Sequence, residues 1–192
     1  MECVVSKRPK EYLKQPGPTG CGLYVIKGIL SAYGKDDGRN PFAYWHGGIL
    51  PFITTRLRLI GILRSYGFDA TWGHVRVLSD KQKIAMLQEL LRRDTPVMMH
   101  IGNGYRKNGV WSKIRWRIVS HWITLWGFDD EKDVFYIYDP CVPLQYHDES
   151  IPVGNVQRTY QQVLRDWSGG PRWRWRYGYI TLAPEKHSLD MH

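Results

Sequence analysis

The 192-residue chain is poor in cysteine, with three in all, at positions 3, 21 and 141. So odd and widely spaced a set cannot build a disulfide scaffold. It holds no CxxC pair for zinc and suits a reducing, cytoplasmic setting. Long apolar runs are missing too. None approaches the roughly 18 residues of a membrane span, and the opening MECVVSKRPK lacks the apolar stretch of a secretory signal. A chain exported by a dedicated secretion machine would read the same way. His46, His74, His100 and His147 show neither HxxxH nor HxH spacing, so no metal site is expected. Gly102-Asn103-Gly104 lacks the third glycine of a dinucleotide loop. The stretch GPTGCG at 17–22 lacks the lysine of a phosphate-binding loop. No cofactor is therefore expected.

Acidic side chains are also in short supply. Eighteen Asp and Glu face 27 Lys and Arg, a formal charge of +9, which favours acidic partners and salt-sensitive contacts with polyanions. Hydrophobic residues at 43% and charged residues at 23% exclude a disordered chain and a membrane bundle. The length allows a sizeable core without disulfides and fits a single domain over residues 1–192.

Residues 1–14 are polar and basic and read as a leader. Pro16, Gly17, Pro18 and Gly20 forbid a helix until about Gly20. Leu23, Ile26, Leu30 and Tyr33 then mark one helix face, ended by Gly34. Residues 35–55 are turn-rich and read as a surface excursion. Ile53, Leu57, Ile60 and Leu63 suggest a second helix. FDATW (68–72) and HVRVL (74–78) read as short strands. Ser79 with Gln82 fits a capping box for a third helix carrying Ile84, Leu87 and Leu91.

PVMMHI (96–101) is a further strand, followed by a basic loop over 102–117. SHWITLWGF (120–128) and DVFYIYDP (133–140) form a hairpin across a short polar link. Tyr160, Val163 and Trp167 suggest a last helix, and RWRWRYGYITL (172–182) a last strand. Helices first and mainly antiparallel strands afterwards predict an α+β fold.

One group of residues could carry chemistry. A thiol attacks as thiolate, which a helix N-terminus and a neighbouring imidazolium both favour. Cys21 opens a helix directly after a tight loop. His121 begins one hairpin strand and Asp139 ends the other. Pair numbers adding to about 261 would set His121 opposite residue 140, beside Asp139. Gln15, one tight loop upstream of Cys21, has a side-chain amide that could serve an oxyanion.

Gln15, then Cys21-Gly22 before an amphipathic helix, then HWITLWG from His121, then Tyr138-Asp139-Pro140 together resemble the papain-like cysteine peptidases of the C39 type. These comprise the bacteriocin-processing, double-glycine-cleaving enzymes and related stand-alone domains. The resemblance spans roughly residues 15–140. It implies a papain-like cysteine peptidase fold, with N-terminal helices packed on an antiparallel β-sheet. It further implies Cys21 as nucleophile, His121 as general base and then acid, Asp139 as the group orienting His121, and Gln15 as oxyanion donor. The reaction would be acyl transfer through a thioester, with a peptide or protein as substrate.

Each residue also has a plainer reading. Cys21 could be a structural thiol, His121 a core histidine, Asp139 a turn residue before proline and Gln15 an ordinary loop residue. Cys141 reads as an incidental thiol, or a resolving one if it approaches Cys21. The same triad would serve an acyltransferase or a transglutaminase-like enzyme, and the same fold could carry a non-catalytic basic binding module. The loop over 102–117, with Arg106 and Lys107, and Trp122 beside His121 are expected to border the substrate cleft. The alternation in RWRWRY would put Trp173, Trp175 and Tyr177 on one strand face and the arginines on the other. An acidic substrate fits this basic rim, and no specific nucleic acid is expected.

Overall fold

The computed structural model describes residues 1–9, 12–17, 19–44, 55–106, 108–151, 155–171 and 173–184. Lys107 and most of the excursion, residues 45–54, lie outside the described residues, as do Arg172 and the side chain of Trp173.

The chain folds as strand β1 (Glu2–Val4), helix α1 (Cys21–Ala32), helix α2 (Arg56–Ser65), strand β2 (Phe68–His74) and helix α3 (Asp80–Arg92). Strand β3 (Val97–Gly102), helix α4 (Lys113–Ile118), strand β4 (Ser120–Asp129) and strand β5 (Val134–Tyr138) follow. The described chain ends with strand β6 (Val156–Thr159), helix α5 (Tyr160–Trp167) and strand β7 (Gly178–Pro184). The strands form one sheet in the order β2-β7-β3-β4-β5-β6, with β1 also paired to β4. Every pairing is antiparallel.

In the middle of the sheet every residue of β3 and β5, and all of β4 but Ser120, is buried. A strand buried on both faces must be covered on both. The helices supply that cover: α1 and α3 pack on β4, while α5 packs on β3, β5 and β6. This is an α+β fold with helices on an antiparallel sheet.

Several elements depart from the sequence expectation. The polar opening is not merely a leader, because Glu2–Val4 adds a strand along β4 and Val5 is buried. HVRVL does not form its own strand. β2 runs through His74 as one strand, and residues 76–78 form a turn that leaves Val77 exposed. The basic loop contains α4, capped by the hydroxyl of Ser112 on the Arg115 N–H. RWRWRY is not a strand. Trp173–Trp175 is a turn of 3₁₀ helix, and Tyr177 takes a left-handed backbone (φ 55°) before β7 starts at Gly178.

Gly178, where β7 begins, packs tightly on β2: a Cβ there would sit 2.2 Å from the Trp72 ring. Trp175 and Tyr177 nonetheless turn inward, Trp175 onto His100 and Trp122 and Tyr177 onto Trp167. β6 was not legible in Val-Gln-Arg-Thr, which has no apolar alternation.

Candidate active site

The hairpin of β4 and β5 forms one wall. Thr124 faces Tyr138 and Leu125 faces Ile137, pairs adding to 262, and a bulge between Leu125 and Gly127 moves the rest to 263. The expected register was about one residue short. Extended past the end of the ladder, a sum of 262 sets residue 141, not 140, across from His121.

His121 and Asp139 are 2% and 1% exposed. The ring's Nε2–H donates to Asp139 Oδ1 at 2.7 Å, because an ionised carboxylate can only accept. Nδ1 is left facing Cys141, whose Sγ lies 3.7 Å away. The Cys141 N–H also donates to Asp139 Oδ1 at 2.9 Å, so one carboxylate oxygen fixes both the ring and the turn beyond it.

Asp139 is held by residues that no sequence motif marks. Arg158, on β6, donates to Oδ2 at 2.5 Å, and its other terminal nitrogen faces Asp166 of α5 at 3.5 Å. Asn155 clamps the Asp139 backbone. It accepts from the Asp139 N–H at 2.8 Å and donates to the Asp139 carbonyl at 3.0 Å. Arg158 and Asp166 are themselves buried. A buried arginine on a strand without apolar alternation is the one signal that could have marked this network, and it becomes visible only once the strand is known.

These contacts set the charges. Burial alone would raise the Asp139 carboxyl, but the positive charges of His121 and Arg158 hold it well below the usual carboxylate range. Burial likewise disfavours a charged His121. The negative charges of Cys141, Asp139 and Cys21 outweigh it and hold the imidazolium well above the ordinary histidine range. Arg158 stays cationic because Asp139 and Asp166 offset its burial.

The facing wall is the start of α1. Gly20 precedes it with φ 92°, a left-handed conformation that favours glycine. A Cβ at Gly20 would also stand 3.0 Å from the Phe42 ring. Cys21 is thus the first helical residue and half-buried, and a thiolate there would favour the charged form of the His121 ring. Gly28 lets α1 lie against Tyr138, 3.0 Å from where a Cβ would be.

Gln15 is buried, and its N–H donates to the Pro140 carbonyl at 2.9 Å, which ties this loop to the Asp139 turn. Its amide donates to the Gly17 carbonyl at 2.6 Å, while Oε1 has no hydrogen-bond partner. Tyr12 braces the same junction, its hydroxyl 3.0 Å from the Asp139 carbonyl and 3.1 Å from that of Val142.

Two expected contacts separate from this cluster. Trp122 does not line an open cleft. Alternation along β4 sends it to the opposite face from His121. There it is 2% exposed and packed on His100, Trp72 and Trp175. Arg106 is exposed, on a small turn closed by the pairing of Tyr105 with Trp111. No described helix is long and apolar enough to cross a membrane.

The fold has known counterparts. The chain is similar to the peptidase domain of Streptococcus ComA, a bifunctional ABC transporter involved in a quorum-sensing pathway. The two share 16% identity over 90% of this chain and 97% of that one, with a TM-score of 0.56. It is similar as well to a C39-like peptidase from Bacillus anthracis, at 13% identity over 95% of this chain and 98% of that one, with a TM-score of 0.56. The peptidase domain of Streptococcus mutans ComA matches at 15% identity, 90% and 98% coverage and a TM-score of 0.51. No curated protein sequence matches. At these identities the structural likeness establishes the fold. Kinship comes from the sequence itself, which matches the Peptidase C39-like family over residues 9–166, a span that takes in Gln15, Cys21, His121, Asp139 and Arg158: the chain belongs to that family.

Proposed function

We propose that the protein is a cysteine peptidase in which Cys21, His121, Asp139 and Gln15 act together. The observation that carries this reading is the buried His121–Asp139 pair. Its bond through Nε2 leaves Nδ1 as the proton-exchanging atom, within the field of a thiol at a helix N-terminus. In this reading the Cys21 thiolate attacks a peptide carbonyl. The carbonyl oxygen takes the negative charge and is met by the Cys21 backbone N–H and the second N–H of the Gln15 amide. His121 Nδ1–H protonates the departing amine, leaving a thioester. His121 then takes a proton from water, the hydroxide attacks the thioester, and the thiolate is released with a carboxylic acid product. Asp139 holds the ring and keeps its charge favourable throughout.

The substrate in this reading is a peptide or protein segment, steered by exposed basic side chains such as Arg106. Transfer to an amine in place of water would use the same residues.

Limiting iodoacetamide at about pH 5.5–6, where ordinary thiols are almost wholly protonated, tests the reading by peptide mapping. Cys21 should be labelled first, and His121→Ala should slow it. Labelling of Cys21 no faster than of Cys3 would sink it.

A further inference from the structure

The peptidase mechanism gives Cys141 no task, yet its sulfur lies 3.7 Å from His121 Nδ1. That separation has a chemical meaning. Tetrahedral zinc binds thiolate sulfur at about 2.3 Å and imidazole nitrogen at about 2.0–2.1 Å, which puts two such donors about 3.5–3.6 Å apart. Sγ and Nδ1 therefore stand at chelating distance without any movement of the strands.

Asp139 belongs to the same cluster, the three donor atoms lying within 4.8 Å of one another, but it is not a ligand. Its Oδ1 is only 2.7 Å from Nε2, closer than the roughly 3.3 Å that two ligands of one tetrahedral ion at those bond lengths require. Its Oδ2 is occupied by Arg158. Asp139 is placed instead as the outer carboxylate that accepts Nε2–H and leaves the Nδ1 lone pair free to bind, an arrangement common behind metal-bound histidines. The turn carrying Cys141 is fixed through its own N–H to Oδ1. Cys141 is partly open to solvent, so an ion can reach its sulfur.

We propose that His121 Nδ1 and Cys141 Sγ form a site for a thiophilic divalent cation of the zinc class, and that occupancy switches the peptidase off. Binding displaces the Cys141 thiol proton and the Nδ1 proton to solvent, and waters fill the remaining positions. Soft sulfur with imidazole selects zinc over magnesium or calcium. The switch rests on the peptidase reading, because it works by occupying the base of that site. The metal site itself does not.

Metal-free protein is titrated with Zn²⁺ against a chromogenic chelator and, separately, with Co²⁺ to read thiolate-to-metal absorption. One equivalent should bind with a thiolate band, and Cys141→Ser and Cys141→Ala should each weaken binding at least tenfold. Cys3→Ser should change nothing, and Asp139→Asn should weaken binding about 10–100-fold through the outer sphere. Cys141→Ser should also retain turnover while losing sensitivity to zinc. Equal binding by wild type and both Cys141 variants, or cobalt bound without a thiolate band, would overturn the site. Tight, Cys141-dependent binding in a protein whose Cys21 is unreactive would uphold the site and reject the peptidase reading alone. Turnover inhibited equally in wild type and Cys141→Ser would overturn the switch.

Discussion

The two walls of the candidate site are built differently. The base wall is over-determined. His121, Asp139, Arg158 and Asp166 are all buried, each ionic contact is shared, and Asn155 pins the backbone between them. The thiol wall is a loop and a helix start. Cys21 is half-buried, Gly20 sets the entry angle, and the Gln15 amide is held by one short contact to Gly17. In the proposed mechanism, charges fixed in the core would keep the base ready at no cost in reorganisation, while the nucleophile and the oxyanion donor would stand on the loop and the helix start.

The sharpest way to break the comparison is Cys21→Ala. A half-buried thiol packs much as alanine does, so the fold should persist with unchanged thermal unfolding while peptide turnover is lost. Persistent turnover would transfer the chemistry to another thiol. On the opposite wall, Arg158→Met should act through stability. It leaves Asp139 without its guanidinium, and breaking a buried pair on one side costs about 3–5 kcal/mol. Urea unfolding measures this, and a loss below 1 kcal/mol would mean that water or Arg165 takes over.

Gln15→Ala should cost about 10²–10³-fold in kcat, the usual effect of one oxyanion donor, with unfolding unchanged. An equal loss of stability would make Gln15 a brace for the Pro140 turn instead.

Acidity separates the walls again. Asp139 has a folded value below its unfolded one, so its stabilisation is complete above about pH 4 and is lost as the pH falls toward the folded value. His121 is raised, so its share is complete below about pH 6.5 and is lost as the pH climbs through its folded value. Stability should therefore be greatest between these limits. Asp139→Asn should flatten the acid side, as measured by unfolding across pH, and an unchanged acid limb would assign it to other carboxylates.

The same contrast explains what could be read from the sequence. Cys21 was legible because a Pro/Gly loop, a glycine and a 3.6-residue apolar period are local signals. His121 and Asp139 were legible because both strands are apolar and joined by a short polar turn. The register slipped because the strands pair at the turn as Asp129 with Val134, a sum of 263 that the bulge near Trp126 only brings back to 262, and with it went the approach of Cys141 to His121. Arg158 and Asn155 were invisible because a four-residue polar strand gains its meaning only from the sheet edge it completes. Trp122 was misread because its neighbour in sequence, His121, points the other way. The alternation of RWRWRY gave the inward aromatics and the wrong backbone, since nothing local marks the 3₁₀ turn or the positive φ of Tyr177 that precede Gly178.

The smallest expected effect concerns the surface. Arg106 is exposed on the turn preceding α4, a helix whose Lys113, Arg115 and Arg117 are among the basic residues of a chain at +9. Exposed charges at a rim change encounter rates and their salt dependence more than they change chemistry, and one such charge is worth at most about 1 kcal/mol. Arg106→Glu should raise KM for an acidic peptide by about two- to fivefold at low ionic strength. The effect should fade near physiological salt, where the screening length is about 8 Å, and kcat should stay constant. A neutral peptide of equal length provides the control. If both peptides lose equally, Arg106 holds the Tyr105–Trp111 turn rather than the substrate, and the positive rim plays no part in choosing what enters between the two walls.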